Sequence, residues 1–244
     1  MAIFKNSPPI VTNGLVLNLD AGNYRSYPKT GTTWIDLSVS SNNGTWINGP
    51  TFSNNNGGTL VFDGVDDYVS VPKQTALVNA SQFTISAWMK RADLSSKVIL
   101  YQGADTSDDV SFELWSDGNA YFEVGNASNS YGQVANNSAN WQQLVMIFDG
   151  TQSSNSTRLK AYINSISQTL VFSGTIPSTS GTSNSVFSIG NTQGIGGNFS
   201  TGNIASVQIY NRALSDQEVL QNYNVQKSRF GLWYTELLLY KQMD

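Results

Sequence analysis

Apolar and polar residues alternate over short stretches of this chain, and clusters of Gly, Asn, Asp, Ser and Thr separate the stretches. In Phe83-Thr84-Ile85-Ser86-Ala87-Trp88-Met89-Lys90 the odd positions through Met89 make one apolar face and Trp88 points to the other. A period of two belongs to a half-buried strand. The same reading predicts strands at 15–20, 59–63, 68–71, 83–90, 98–101, 110–115, 120–124, 142–148, 159–164, 168–172, 186–189 and 204–210. Many short strands at regular spacing predict an all-β fold, a two-sheet antiparallel β-sandwich.

The turn residues agree. Asp117-Gly118 between two strand patterns is a two-residue hairpin signature, because Gly supplies the positive φ such turns need. It predicts that Ser116 pairs with Asn119, which sends Glu113 and Glu123 to opposite sides of the sheet. The Ser/Thr/Gly-rich stretch 173–185 predicts a mobile loop. One short C-terminal helix is expected from Asp216 to about residue 224, since Ser215 and Glu218 have capping-box spacing and Leu214 and Val219 fit a hydrophobic staple. Its expected place is over an open end of the sandwich. The resulting division is a lead over 1–13, a sandwich over 14–224 and an apolar arm over 225–244.

Composition narrows the chemistry. Only 12% of residues are charged, so solubility rests on Asn, Ser, Thr, Gln and Gly, which suits a surface facing sugars or proteins. A net charge of −4 offers no attraction to phosphates, so no nucleic acid partner is expected. Neither Cys nor His occurs, which removes disulfides, thiolate catalysis, His-based acid–base catalysis and the common zinc sites. The first 19 residues carry Lys5 as their one positive charge and no unbroken apolar run, so no signal peptide and no membrane insertion are expected.

The blocks Gly58-Thr59-Leu60-Val61-Phe62-Asp63-Gly64-Val65-Asp66-Asp67-Tyr68-Val69 and Phe83 to Trp88, with Trp141, Ile189-Gly190-Asn191 and the run Gly202 to Ser215, carry a family likeness. The chain resembles laminin G-like and pentraxin-like domains of the concanavalin A-like lectin/glucanase superfamily, over about 14–224. The resemblance implies a jelly-roll sandwich. It also implies a setting, because such domains without a signal peptide resemble decoration proteins, head fibres and adhesins of phage virions. The expected function is accordingly a non-catalytic structural or adhesion module on a virion surface, made in a host cytoplasm and acting with capsid or tail proteins as a homo-oligomer, with weak glycan binding. The alternative is a dedicated lectin with a calcium-assisted site, and a glycoside hydrolase comes third.

Candidate residues follow from these readings. No enzyme is expected: related hydrolases place carboxylates as Glu-x-Asp-x-x-Glu on one strand, and that pattern does not occur here. No cofactor is required. The resemblance places a weak calcium site at Asp108 and Asp109, weak because Thr192 and Gly194 stand where relatives carry carboxylates. Sugar binding needs exposed rings and amides, which nominates Tyr131, Trp46, Asn191 and Gln193. The terminal run, with Trp233, Tyr234, Leu237, Leu238 and Leu239, is the expected docking arm.

Overall fold

The structure is a computed structural model that describes residues 9–105, 107–126, 130–192 and 197–232. Strands in chain order are β1 (Leu15–Asp20), β2 (Thr33–Trp34), β3 (Gly44–Ile47), β4 (Thr51–Ser53), β5 (Thr59–Asp63), β6 (Tyr68–Val71), β7 (Gln82–Arg91), β8 (Val98–Gly103) and β9 (Asp109–Leu114). There follow β10 (Asn119–Val124), β11 (Tyr131–Ala135), β12 (Gln142–Asp149), β13 (Leu159–Ile163), β14 (Ile166–Gln168), β15 (Val171–Ser173), β16 (Phe187–Ile189) and β17 (Thr201–Tyr210). The helices are a single turn, α1 (Asn155–Arg158), and α2 (Asp216–Gln226).

These strands form two antiparallel sheets. One runs β14-β13-β12-β7-β17-β5-β4, with β1 also paired to β17, and the other runs β15-β11-β10-β9-β8-β16-β6-β3-β2. The all-β sandwich is as the alternation predicts. Phe83, Ile85, Ala87 and Met89 of the first sheet meet Val110, Phe112, Leu114, Ala120, Phe122 and Val124 of the second in one buried core. Ile204 and Val207 both enter that core, which strict alternation forbids. A register shift between Ile204 and Ser206 changes the parity of β17 and makes it possible.

The far sides of the two sheets differ. Helix α2 lies over the outer face of the first sheet, not over an open end. Val219 and Leu214 pack with Val145, Ile147, Tyr162 and Tyr210, and Tyr223 and Phe230 stack on Trp88 at 5.7 and 4.1 Å. The capping box forms: Glu218 N–H donates to Ser215 Oγ at 3.3 Å, and Ser215 N–H to Glu218 Oε2 at 2.9 Å. The helix continues two residues past the expected end, and a 3-10 turn over Lys227–Phe230 follows, so the start of the expected arm packs on its own sandwich. The described part of the lead is also tied down, with Val11 N–H donating to Asn222 Oδ1 at 2.8 Å and Tyr210 Oη to the Val11 carbonyl at 3.0 Å.

Two local expectations are corrected. The 168–172 segment is not one strand, because β14 joins the first sheet and β15 the second. The 173–185 stretch is pinned rather than loose: Ile176 is fully buried, Ser180 Oγ donates to the Leu77 carbonyl at 2.9 Å, and Thr182 N–H donates to Asp108 Oδ1 at 2.6 Å.

Candidate functional site

Among the described residues no helix covers the outer face of the second sheet, and polar residues collect there. Asp109, Ser111 and Glu113 are alternate positions of β9, so all three side chains leave the sheet on the same side. What lies beside them is set by the β9–β10 connection. Trp115 N–H donates to the Asn119 carbonyl at 2.9 Å, which leaves a three-residue loop over 116–118 with Gly118 at a φ of 85°. The two-residue turn expected from Asp117-Gly118 is therefore wrong by one residue, and a one-residue slip inverts every side chain. In the observed register Glu113 faces Tyr121 and Glu123 faces Ser111. Glu113 and Glu123 share the outer face instead of projecting from opposite sides.

Ser111 Oγ donates to Glu123 Oε2 at 3.0 Å. Since Glu123 sits opposite Ser111, Asp109 and Glu113 are its two diagonal neighbours, a relation with a spacing of about 7–8 Å. Gly103 pairs with Asp109 on the β8 side, and Gly125 N–H donates to the Asp109 carbonyl on the other at 2.7 Å. These two glycines leave the space that the acid and Tyr101 occupy: a Cβ on Gly103 would come within 2.4 Å of Tyr101 Oη, and one on Gly125 within 2.7 Å of Asp109 Oδ1.

Together these groups line a cavity of 240 Å³, bounded by Tyr101, Asp109, Glu113, Trp115, Tyr121 and Glu123, with Thr192 and Asn198 at its rim. Lys97 Nζ sits 3.9 Å from the centre of the Trp115 ring and donates to Asn198 Oδ1 at 2.7 Å. Tyr121 Oη donates to Asp117 Oδ2 at 2.5 Å, and burial and this bond push the Tyr121 hydroxyl up to about 12. Burial and the neighbouring Glu123 push Asp109 up to about 9 and Glu113 up to about 8. Glu123 is also raised, chiefly by burial.

The sequence-nominated residues divide around this cavity. Tyr131 belongs to the same face: it pairs with Glu123 and meets Tyr121 edge-on at 5.4 Å. Trp46 does not. It pairs with the core residue Val69 and stacks on Tyr27 at 4.7 Å, packed against the core. Asn191 is buried and accepts a hydrogen bond from Ser188 Oγ. Gln193, Trp233, Tyr234, Leu237, Leu238 and Leu239 lie outside the described residues. Asp108 accepts from Thr182 N–H and Asp109 lines the cavity, and among the described residues no third acid joins them within 4.8 Å, where calcium takes several oxygen ligands.

Among the described residues, the carboxylates drawn within 4.8 Å of one another as a group of three are Asp63, Asp66 and Asp67. That group closes a turn, with Val65 N–H donating to Asp63 Oδ1 at 2.8 Å and Asp63 N–H to Asp67 Oδ2 at 3.2 Å. Sequence reasoning missed Tyr101, Trp115 and Tyr121, and it separated Glu113 from Glu123. The signal was present as polar residues at alternate positions 109, 111, 113 and 121, 123, a pattern that a strand with a solvated far side would show.

Fold and polar face together define a β-sandwich with the outer side of one sheet covered by its own helix and a polar cavity on the outer side of the other. Residues 62–220 match the laminin G-like model of the concanavalin A-like lectin/glucanases superfamily, and the chain belongs to that family. No curated protein matches the sequence. Among solved structures, domain 4 of AbnA, an extracellular arabinanase of Geobacillus stearothermophilus in complex with arabinotriose, is 19% identical with a TM-score of 0.66, over 87% of this chain and 100% of that domain. The ligand binding domain of botulinum neurotoxin serotype D, in complex with N-acetylneuraminic acid, is 13% identical with a TM-score of 0.65, over 88% of this chain and 52% of that one. A Trypanosoma rangeli sialidase in complex with sialic acid is 18% identical with a TM-score of 0.61, over 91% and 34%. The chain thus spans about half the length of the neurotoxin binding domains and a third of the sialidase. Among the described residues no helix is long and apolar enough to cross a membrane.

Proposed function

We propose that this chain is a carbohydrate-binding module that holds a sugar in the cavity on the outer face of the β9–β10 sheet. The observation that carries the reading is convergence. Trp115, Tyr121 and Tyr131 present rings beside three acids on one uncovered face, which is the combination that stacks on a sugar ring and satisfies its hydroxyls. Similarity to domains solved with arabinotriose and with N-acetylneuraminic acid supports it. Titration with a panel of oligosaccharides tests it. At least one should bind, and Trp115→Ala or Tyr121→Ala should weaken it by about tenfold. A panel without binders would end the reading.

A second reading, glycoside hydrolysis, is favoured by the shared face of Glu113 and Glu123, since that chemistry needs two carboxyl groups across one bond. We hold to binding without turnover. Reducing-end release that disappears in Glu113→Gln would reverse that choice. The narrower role expected from the sequence, a subunit decorating a virion or adhering through it, is supported by the resemblance and by the apolar run from Trp233 to Tyr240. Co-sedimentation with particles tests it.

A further inference from the structure

Among the described residues, no cation pairs directly with the acids of the cavity. Asp109 is 2% exposed, no N–H or hydroxyl donor among the described residues reaches either of its oxygens, and the group it meets is another acid, Glu123, with which it can share a hydrogen bond only by carrying a proton. Glu113, also buried, lies on the other diagonal of Glu123. None of the described lining residues is basic. Lys97, whose field reaches Glu113, has its ammonium against Trp115 and Asn198. Buried acids of this kind call for a positive partner or for protons.

A single metal ion is a poor partner, because these three carboxylates are not drawn together within 4.8 Å as Asp63, Asp66 and Asp67 are. The space of 240 Å³ corresponds to about eight waters at roughly 30 Å³ each, the scale of an organic ring. Its walls are Tyr101, Tyr121 and Trp115, and aromatic faces attract an ammonium as well as the apolar side of a sugar.

Resting on the carbohydrate reading, we propose that the cavity selects an amine-bearing sugar, with its ring against Trp115 and Tyr121 and its ammonium among Asp109, Glu113 and Glu123. The protonation of the site fits this occupant. With the cavity free of ligand, burial and mutual repulsion hold protons on Asp109 and Glu113. An entering ammonium favours the ionised acids, so binding expels protons. The other titratable and charged groups facing the acids are Tyr101, Tyr121, Asp105 and Lys97. An N-acetylated sugar brings no charge, and a uronic or sialic acid brings the wrong one.

Calorimetric titration of the full chain with a β-1,4-linked glucosamine oligomer, its N-acetylated counterpart, a neutral hexose oligomer and tetralysine tests this, at a mildly acidic pH where the free sugar amine is already protonated. The glucosamine oligomer should bind at least about tenfold more tightly than the acetylated one, with proton release seen as a heat that differs between buffers of different ionisation enthalpy. Asp109→Asn, Glu113→Gln and Glu123→Gln should each erase the preference, and Asp66→Asn should keep it. Acetylated or neutral oligomers binding as tightly would overturn the amine claim and leave the carbohydrate reading standing. Equal binding of tetralysine would reduce the effect to bare charge and also overturn it. Binding to none of the sugars would remove both. The wild-type comparison stands even if a variant fails to fold.

Discussion

Ser111 and Glu123 face each other across β9 and β10 and are joined by a 3.0 Å hydrogen bond. That pairing sets the register by which Asp109 and Glu113 flank Glu123, and so it assembles the acidic cavity. The same row extends sideways, with Tyr101 paired to Ser111 and Tyr131 to Glu123. One register thus aligns a serine, an acid and two rings in a single cross-strand row.

Stability should fall as pH rises from about 4 to about 9. Asp109 and Glu113, whose ordinary values are 3.8 and 4.5, are raised to about 9 and about 8 in the folded chain by burial and by the neighbouring Glu123. In that window the native state binds more protons than the unfolded one, so the contribution is complete below the lower values and is lost as pH passes the upper ones. Glu113→Gln should flatten this slope and, at about pH 8, stabilise the chain by roughly 1–3 kcal/mol. Thermal unfolding across pH measures it. Glu218 acts oppositely: its bond to Arg212 holds it down to about 2, and its stabilisation is lost as pH falls below the usual carboxylate range toward that value.

Gly125→Ala should damage the site from beneath. The added methyl would stand 2.7 Å from Asp109 Oδ1 and 2.9 Å from the backbone at Asp109 and Ser107. Overpacking of this kind costs about 1–3 kcal/mol, and Asp109 must move. Denaturant unfolding and sugar titration should both register the change.

Arg91 is fully buried and donates to the carbonyls of Trp115 at 2.8 Å and Ser138 at 3.0 Å, and to that of Asn136. It ties the backbone under Trp115 to the loop after β11. Lysine cannot reproduce this planar fork. Arg91→Lys should lower stability by about 1–3 kcal/mol and weaken sugar binding through Trp115, while leaving the Asp66 turn unchanged in amide exchange.

The C-terminal boundary is tested by two truncations. Phe230 stacks on Trp88 at 4.1 Å and meets Trp141 at 4.8 Å. A chain ending after Phe230 should stay folded. One ending after Gln226 should lose about 3–5 kcal/mol, the scale of deleting a buried aromatic side chain. Equal stability of the two would mean that Phe230 contributes nothing to the fold.

The alternation in 83–90 and 120–124 made the core legible, because a sheet with one buried face fixes which residues are apolar. The capping pair Ser215 and Glu218 made the helix start legible for a similarly local reason. The cavity was harder to read, since it depends on register. A single loop residue, Ser116, decides whether Glu113 and Glu123 share a face, and Asp-Gly suits both a two-residue and a longer turn. Strands β2, β3, β4 and β11 were missed, and β2, with two residues, and β4, with three, are too short to show a period. Trp46 and Tyr131 looked alike in sequence beside Asn and Ser, and only their cross-strand partners, Val69 and Glu123, separate a core ring from a cavity ring.

The central claim is that the uncovered face around Glu123 is where a sugar binds. Amide chemical-shift mapping during titration with the tightest oligosaccharide of the panel tests it most directly. Shifts confined to 101–103, 109–115, 121–125 and Tyr131 are the predicted result. Shifts gathered instead at the Asp63–Asp67 turn, around Trp46 or along α2 would contradict it.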